Sequence, residues 1–324
     1  MADLHNKDIA KAFYDKRYEE GYMEEWDDLK KSKVREVISQ LNLPESGKAL
    51  DFGCGNGVFT HIIKELLPKW EVYGVEISQI ALHNASRKFK DCIFFGFEEA
   101  ANYSNQFDFL FSHHVMEHVQ DIKETFTNIN SYLKPYSSQL HILPCGNKGS
   151  YEYNICMLHK NGIDLEKGNR FFFEEPGHLR RLTTDEFKTH EEAFGFELKK
   201  EFYSNQHSGA VNWITKSSPR FVKKLTDPAN ALNTPAFKKL KKLRRKLLPL
   251  TYLQFPYSKF MEVKSKWHKK PMDYLKLLVL FFPAMVARPY FQLLQKKALT
   301  EWQFHNTEKS GSEMFLYFTR QTSI

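Results

Sequence analysis

Hydrophobic and polar residues follow two alternating patterns along the first half of the chain. Short apolar runs at residues 48–53, 71–76, 92–97, 107–112 and 139–144 are each predicted to form a β-strand. The longer stretches between these runs place apolar residues at helical spacing. Strands that alternate with helices in this way predict a parallel sheet with helices on both faces.

The same pattern returns once and is then interrupted. Thr183 and Glu186 form a capping box that predicts a helix start, and Gly195 predicts the end of that helix. A strand is predicted directly afterwards at 196–204, and the final strand at 312–320 comes only after a long gap. The chain between these strands is predicted to be a helical insertion.

These patterns divide the 324 residues into four predicted segments. They are an N-terminal helical cap (1–47), a core (48–207), a basic, aromatic helical insertion (208–309) and the last core strand (310–324). With 42% hydrophobic and 15% aromatic residues, the chain contains enough apolar surface to bury a core, which excludes general disorder.

Cysteine spacing and the N-terminal sequence predict a cytoplasmic protein. The four cysteines lie far apart and include no C-x-x-C pair, which is typical of a reduced, intracellular protein. The N-terminal residues are charged and lack the apolar stretch of a secretion signal.

The net charge of +8 is distributed unevenly. Residues 216–270 contain 16 Lys and Arg but only two acids, whereas the rest of the chain is net acidic. A cluster of one sign indicates a surface that faces an acidic partner.

The most specific pattern is the sequence DFGCGNG at residues 51–57. A phosphate-binding P-loop requires Lys and Ser or Thr after its last glycine, but Val58 and Phe59 follow here. The dinucleotide motif G-x-G-x-x-G requires a third glycine at the position that Val58 occupies. Asp51, two residues before the first glycine, also disfavours a pyrophosphate ligand.

Residues 51–57 resemble the first motif, D/E-x-G-x-G-x-G, of class I S-adenosylmethionine (SAM)-dependent methyltransferases. The resemblance covers about residues 10–205 and the last strand, and it is closest to small-molecule enzymes of the ubiquinone-pathway type. It implies an α/β fold, a doubly wound, Rossmann-like sheet of seven strands in the order 3-2-1-4-5-7-6. The helical insertion would precede the last strand.

The resemblance also implies which residues hold the cofactor. Asp51 would bind the ammonium group through water, Gly53 and Gly55 would pass beneath the methionine tail, and Gly57 would let the next helix begin nearby. Glu76, at the end of the second strand, would bind both ribose hydroxyls. The complete predicted set is Asp51, Gly53, Cys54, Gly55, Gly57, Glu76, Ile77, Glu98 and His113.

The predicted adenine contacts depart from the family pattern. The family often places an acid in a G-D-A-like turn after the third strand, but this chain has Gly96, Phe97 and Glu98 there. Glu98 is therefore a shifted candidate for the adenine amino group, and Phe97 is a candidate for stacking on the ring.

The sequence FSHHVMEHV follows the predicted fourth strand. Some relatives bind a divalent metal through E-x-x-E-H at this position, and this chain has His114, Glu117 and His118, which would share one face of a helix. His178 matches the fourth ligand, and a histidine-rich set suits Zn²⁺, Fe²⁺ or Mn²⁺. Three hypotheses remain: a metal site formed by these four residues, a general base (His113, His114 or His178), or a structural Glu–His pair.

The basic segment also allows three interpretations. Residues 237–250 combine seven Lys and Arg with apolar residues at helical spacing, as in helices at anionic membrane surfaces. The apolar run 277–287 is interrupted by Pro283 and is shorter than the ~20 residues of a membrane span, so no span is predicted. The segment would bind a membrane surface, form a solvated lid, or bind nucleic acid.

Together these features predict SAM-dependent methyl transfer to an oxygen, rather than a nitrogen, of a small or lipid-linked acceptor at the cytoplasmic membrane face. His113, His114, Glu117 and His178 would lie nearest the chemistry, and the aromatic N-terminal helix would close over the site. The alternatives are a non-catalytic membrane- or nucleic-acid-binding protein that retains the fold, and an RNA methyltransferase. No oligomeric state is predicted.

Overall fold

The computed structural model describes residues 7–21, 23, 25–175, 177–266 and 269–320. The chain forms two compact units. The first contains Met1–Leu143, Asp185–Glu201 and Phe315–Ile324, and the second contains Pro144–Thr184 and Phe202–Met314. The start of the predicted N-terminal cap and the last four residues of the predicted final segment lie outside the described residues. The four predicted segment boundaries stay predictions.

Nine strands are present in the described part of the chain. They are β1 (Lys48–Phe52), β2 (Glu71–Glu76), β3 (Ile93–Gly96), β4 (Phe107–His113), β5 (Leu133–Pro144), β6 (Ile163–Asp164), β7 (Arg170–Phe171), β8 (Phe196–Ser204) and β9 (Glu313–Arg320). Seven of them form one sheet in the order β3-β2-β1-β4-β5-β9-β8, and β6 and β7 form a separate antiparallel pair. The predicted strand order and α/β fold are therefore confirmed.

Eleven α-helices are present in the described residues, two of them before β1. They are α1 (Lys7–Glu19), α2 (Asp28–Ser39), α3 (Val58–Leu66), α4 (Gln79–Lys88), α5 (Ile122–Tyr132), α6 (Tyr151–Cys156), α7 (Thr184–Glu192), α8 (Ser208–Lys216), α9 (Pro219–Leu225), α10 (Thr234–Ser265) and α11 (Pro271–His305). Asp27 caps α2 and Asp121 caps α5, because each carboxylate accepts two backbone N–H groups of the first turn.

The central strands are apolar because both faces of the sheet are covered. β4 has the sequence FDFLFSH, and its Phe107, Phe109 and Phe111 side chains are fully buried. β1 pairs in parallel with β2 on one side and with β4 on the other. The carboxyl ends of these three strands consequently meet at one edge, which is where ligands bind in open α/β sheets.

The second unit contains the two longest helices, α10 and α11, which pack against each other and against α8. The expectation that Pro283 interrupts the apolar run is wrong, since α11 continues for 35 residues through both Pro283 and Pro289. Because the helix is continuous, α11 is long and apolar enough, by length and composition, to cross a membrane. The absence of a span stays a prediction, but the length argument on which it was based does not apply to the continuous helix.

The C-terminal end of α11 is fixed to the start of α8. The Glu301 carboxylate accepts hydrogen bonds from the backbone N–H groups of His207, Ser208 and Gly209, each at 2.8 Å. A carboxylate at a helix N-terminus is favoured because it satisfies unpaired N–H groups and opposes the helix dipole. The next residue, Trp302, is fully buried.

Candidate active site

The glycine loop leaves β1 and leads into α3. Gly53 and Gly55 have φ angles of 77° and 52°, in the left-handed region that favours glycine, and Gly57 directly precedes α3. A Cβ atom on Gly53 would lie 2.4 Å from Val115 Cγ2, and one on Gly55 would lie 2.8 Å from Tyr18 Oη. The loop is thus held closely between α1 and the segment that follows β4.

Asp51 is buried at the end of β1, with 2% of its surface exposed. Its Oδ2 accepts a hydrogen bond of 2.6 Å from Thr60 Oγ1, on the first turn of α3. Burial raises the pKa of Asp51 to about 7; the Thr60 hydrogen bond opposes this shift and the negative charge of Glu76 adds to it. A cationic ligand group beside Asp51 would relieve this cost of burial.

Glu76 is buried at the end of β2 and joins that strand to the glycine loop. Its Oε2 accepts the N–H of Gly55 at 3.0 Å, and its Oε1 accepts those of Ile77 and Ser78 at 2.9 and 3.1 Å. Burial raises the pKa of Glu76, and these hydrogen bonds oppose the shift. A carboxylate offers about four lone-pair positions, so roughly one remains for a ligand hydroxyl.

These two carboxylates and the glycine loop fit SAM. Asp51 would hold the ammonium group, Glu76 would accept from a ribose hydroxyl, and Gly53 and Gly55 would allow a close approach of the backbone. When bound, the cofactor supplies a methyl group on a sulfonium centre for in-line attack by an aligned nucleophile.

The remaining predicted cofactor contacts stay predictions. Burial raises the pKa of the Cys54 thiol well above its usual range, which makes it unreactive. Glu98 is exposed, and its Oε1 accepts a hydrogen bond of 2.8 Å from Gln79 Nε2. Phe97 packs edge-on against Phe52, with ring centroids 5.2 Å apart.

His113 is buried at the carboxyl end of β4, between two aromatic rings. Its ring centroid lies 4.2 Å from that of Phe59 and 4.6 Å from that of Trp26. Burial lowers the pKa of His113 well below its usual range, and the positive charges of His114 and Lys30 add to the shift. Its Nε2 is buried without a hydrogen-bond partner in the described part of the chain.

His114, Glu117 and His118 come together in a turn and not on a helix. Residues 116–118 form a turn, and α5 begins only at Ile122 because Asp121 caps it there. The helix predicted over this segment is therefore wrong at its start. His114 has a left-handed φ of 54°, and its Nδ1 lies 2.9 Å from Glu117 Oε1. His118 Nε2 is 4.0 Å from the same oxygen.

His178 belongs to the second unit, where it takes part in a buried ion-pair network. Its Nδ1 is hydrogen-bonded to Glu174 Oε2, while Arg181 Nε lies 2.8 Å from Glu174 Oε1. Burial alone would raise the pKa of Glu174, but Arg181 and His178 together lower it to about 2. The predicted four-residue metal set includes residues of both units and stays a prediction.

Several residues of this site were not predicted from the sequence. Thr60, Phe59 and Val115 carry no motif, and their contacts with Asp51, His113 and Gly53 arise only from the tertiary fold. Burial lowers the pKa of Lys30 on α2 to about 7; the nearby Lys33 adds to this shift, and Asp27 and Glu117 oppose it. Tyr18, which lies against Gly55, belongs to the aromatic N-terminal helix that was predicted to close over the site.

Comparison with known proteins gives matches in sequence and in structure. A family model described as a methyltransferase domain matches residues 23–201. "Malonyl-[acyl-carrier protein] O-methyltransferase 2" of Ilyobacter polytropus is 27% identical over 143 residues, which are 43% of this chain and 54% of that protein. The chain thus spans about half the length of this curated relative.

Comparison with solved structures matches two proteins that are named as methyltransferases. One from Galdieria sulphuraria is 10% identical, with 90% of this chain and 85% of that chain covered and a TM-score of 0.47. A SAM-dependent methyltransferase from Aquifex aeolicus is 15% identical, with 56% and 94% covered and a TM-score of 0.40. The family model matches more than half of this chain. The chain therefore belongs to the methyltransferase-domain family and is a class I SAM-dependent methyltransferase.

Proposed function

We propose that this enzyme methylates an oxygen of a small or lipid-linked acceptor at the cytoplasmic face of a membrane. The observation that carries the oxygen target is His113, a buried imidazole whose Nε2 has no hydrogen-bond partner among the described residues. A hydroxyl must lose its proton as it attacks, whereas a neutral amine attacks through its own lone pair. With its proton on Nδ1, His113 would be a general base for a hydroxyl.

The position of His113 supports this role. His113 is the last residue of β4. The residue before it, Ser112, pairs with Phe52 at the end of β1. Phe59, which packs on His113, belongs to the helix that follows the glycine loop. The proposed base therefore lies beside the loop that would hold the methyl donor.

The relative from Ilyobacter polytropus also supports an oxygen acceptor, since it is named as an O-methyltransferase acting on malonyl-[acyl-carrier protein]. That name describes the relative and its substrate. For this chain, we infer from it only that the methyl group is transferred to an oxygen atom.

The basic segment supports a membrane-bound acceptor. Residues 216–270 contain 16 Lys and Arg but only two acids. The Lys and Arg side chains on the first half of α10 are mostly exposed. Each basic residue near an anionic membrane contributes about 1 kcal/mol of attraction. The free thiols Cys54, Cys92, Cys145 and Cys156 agree with a location on the reducing, cytoplasmic side.

The function is tested with SAM that carries a ¹³C- and radiolabelled methyl group. The enzyme is incubated separately with a lipid extract, with water-soluble metabolites and with RNA. We expect label in the organic phase, with the carbon-13 chemical shift of an O-methyl group. Label only in the water-soluble pool would contradict the lipid-linked acceptor, an N-methyl shift would contradict the oxygen target, and label in RNA would establish the alternative RNA methyltransferase.

SAM binding is expected to depend on pH through Asp51. Burial raises the pKa of this carboxyl to about 7 in the free enzyme, so the charged form that pairs with the ammonium group is lost as the pH falls. We expect Kd for SAM to increase about 20-fold between about pH 7.5 and about pH 5.5. Isothermal titration calorimetry at several pH values measures this change.

Asp51→Asn is the matched control for this prediction. The amide retains the size of the side chain but does not titrate, so the variant should bind SAM weakly with a flat pH profile. An unchanged slope in Asp51→Asn would show that another group causes the pH dependence.

A further inference from the structure

The large apolar side chains of α11 lie on the outside of the protein. Leu278 is 75% exposed, Val279 65%, Phe282 76% and Val286 57%. Each of these residues, and Leu275 with them, has another member of the set three or four positions away, so the five lie on a single face of the helix. We call this face, from Leu275 to Val286, the outer face of α11.

The opposite face of α11 contains small residues. Ala284 and Ala287 are fully buried, and they pack against Tyr257 of α10. Further along the helix, Ala298 is buried together with the larger Leu294 and Trp302, so the packing through small residues is confined to the part of α11 behind the outer face. Helices of water-soluble proteins usually bury their large apolar side chains. Helices that pack through small residues and expose large apolar ones are typical of a lipid environment.

Prolines inside both long helices agree with such an environment. Pro249 and Pro256 lie within α10, and Pro283 and Pro289 lie within α11. In water, a proline in a helix interior costs about 3 kcal/mol or more, because it removes one hydrogen bond and clashes with the preceding turn. In membrane helices, prolines are more frequent and are tolerated.

The charges around the outer face favour a lipid bilayer over a protein as its partner. Lys276 and Arg288 are exposed at its two ends, and the segment that precedes α11 is strongly basic. Basic residues at the borders of an apolar surface match the anionic headgroups that border the hydrocarbon layer.

The neighbouring helices limit how deeply α11 would enter. The exposed side of the first half of α10 is covered by Lys and Arg, which are costly to place in hydrocarbon. The far end of α11 is fixed to α8 through Glu301. These two features limit the depth of entry but leave the outer face of α11 accessible to the acyl chains.

We propose that the outer face of α11 is embedded in the hydrocarbon layer of one membrane leaflet. The enzyme is then held by hydrophobic insertion, with the basic residues of α10 at the headgroups. This deepens the membrane location within the proposed function, but it does not depend on a lipid acceptor.

Flotation of the full chain with vesicles tests the insertion. The vesicles contain phosphatidylcholine with phosphatidylserine, and the gradient contains about 1 M NaCl, at which the Debye length is about 3 Å. We expect the protein to remain with the vesicles because hydrophobic insertion is not screened by salt. Complete release by salt would overturn the proposal, since the binding would then be electrostatic alone.

Variants of the outer face provide the second test. Leu278→Asp combined with Phe282→Asp is expected to reduce vesicle binding at high salt at least tenfold. Phe304→Asp is the matched control, because Phe304 is equally exposed (76%) but lies beyond the outer face, next to the fixed end of α11. A circular dichroism spectrum equal to that of the wild type shows that each variant is folded.

Two other results would contradict the insertion. A wild-type protein that ignores vesicles but forms a dimer, which Leu278→Asp/Phe282→Asp dissociates, would make the outer face an interface between copies. Equal vesicle binding by the wild type and the double variant would exclude the outer face as the attachment. Neither result affects the methyl-transfer assay, so a failure of the insertion can be distinguished from a failure of the proposed oxygen target and acceptor.

Discussion

Glu76→Ala is expected to weaken SAM binding about 100-fold or more while the protein stays folded. The substitution removes the acceptor for a ribose hydroxyl and also releases the N–H of Gly55, which Glu76 holds at 3.0 Å. A hydrogen bond to a charged group contributes about 1.5–3 kcal/mol, and about 2.7 kcal/mol corresponds to a 100-fold change in Kd. The fold should tolerate the change because removing one buried carboxylate relieves the repulsion on the other, at Asp51.

Calorimetric titration with SAM measures this effect, and circular dichroism confirms that the variants are folded. Glu71→Ala is the matched control, because Glu71 begins the same strand and its side chain is exposed. Glu76→Gln should bind with intermediate affinity, since the amide retains one acceptor oxygen. Wild-type affinity in Glu76→Ala would remove the ribose assignment.

His113→Asn is expected to lower kcat, measured at saturating SAM, by about 10² to 10⁴-fold. The reason is that the variant lacks the ring nitrogen that would accept the acceptor's proton. His113→Phe should lose kcat equally, although it retains an aromatic ring between Trp26 and Phe59. If His113→Phe were active and His113→Asn inactive, the role of His113 would be packing alone.

The dependence of kcat on pH distinguishes a general-base role of His113 from a structural one. Because burial lowers the pKa of His113 well below its usual range, the neutral, active form persists as the pH falls through 6.5. We expect kcat to remain level there and to decrease only at lower pH, with no such decrease in the residual activity of His113→Asn. His83→Asn, on an exposed position of α4, is the control. A loss of kcat in His178→Asn but not in His113→Asn would reassign the base.

The sheet could be predicted because its strands are short, apolar and regularly separated. The first part of β5 was missed, since the strand begins at Leu133 and not at residue 139. Pro135 and the exposed Tyr136 gave that part the appearance of a loop. A proline is tolerated in a strand only where its missing N–H is not needed.

The site was predictable where a motif fixes the backbone and not where side chains meet by folding. Asp51 and Glu76 end neighbouring parallel strands, so their proximity follows from the alternating pattern. Thr60 and Trp26 reach the site from α3 and from the chain before α2, and no local pattern marks them. His114 and Glu117 do come together, but through a turn that begins with a left-handed residue, which periodicity does not predict.

The attachment of Glu301 to the start of α8 sets a limit for protein engineering. Three backbone N–H groups of that helix are satisfied by this one carboxylate. A shortened variant made for crystallisation in the absence of detergent should therefore delete the apolar part of α11 but retain the chain from Glu301 onward. A deletion that extended a few residues further would also remove Glu301 and Trp302. It would leave the N-terminus of α8 uncapped and the space of the buried Trp302 side chain empty, so the shortened enzyme would precipitate for a reason unrelated to lipid.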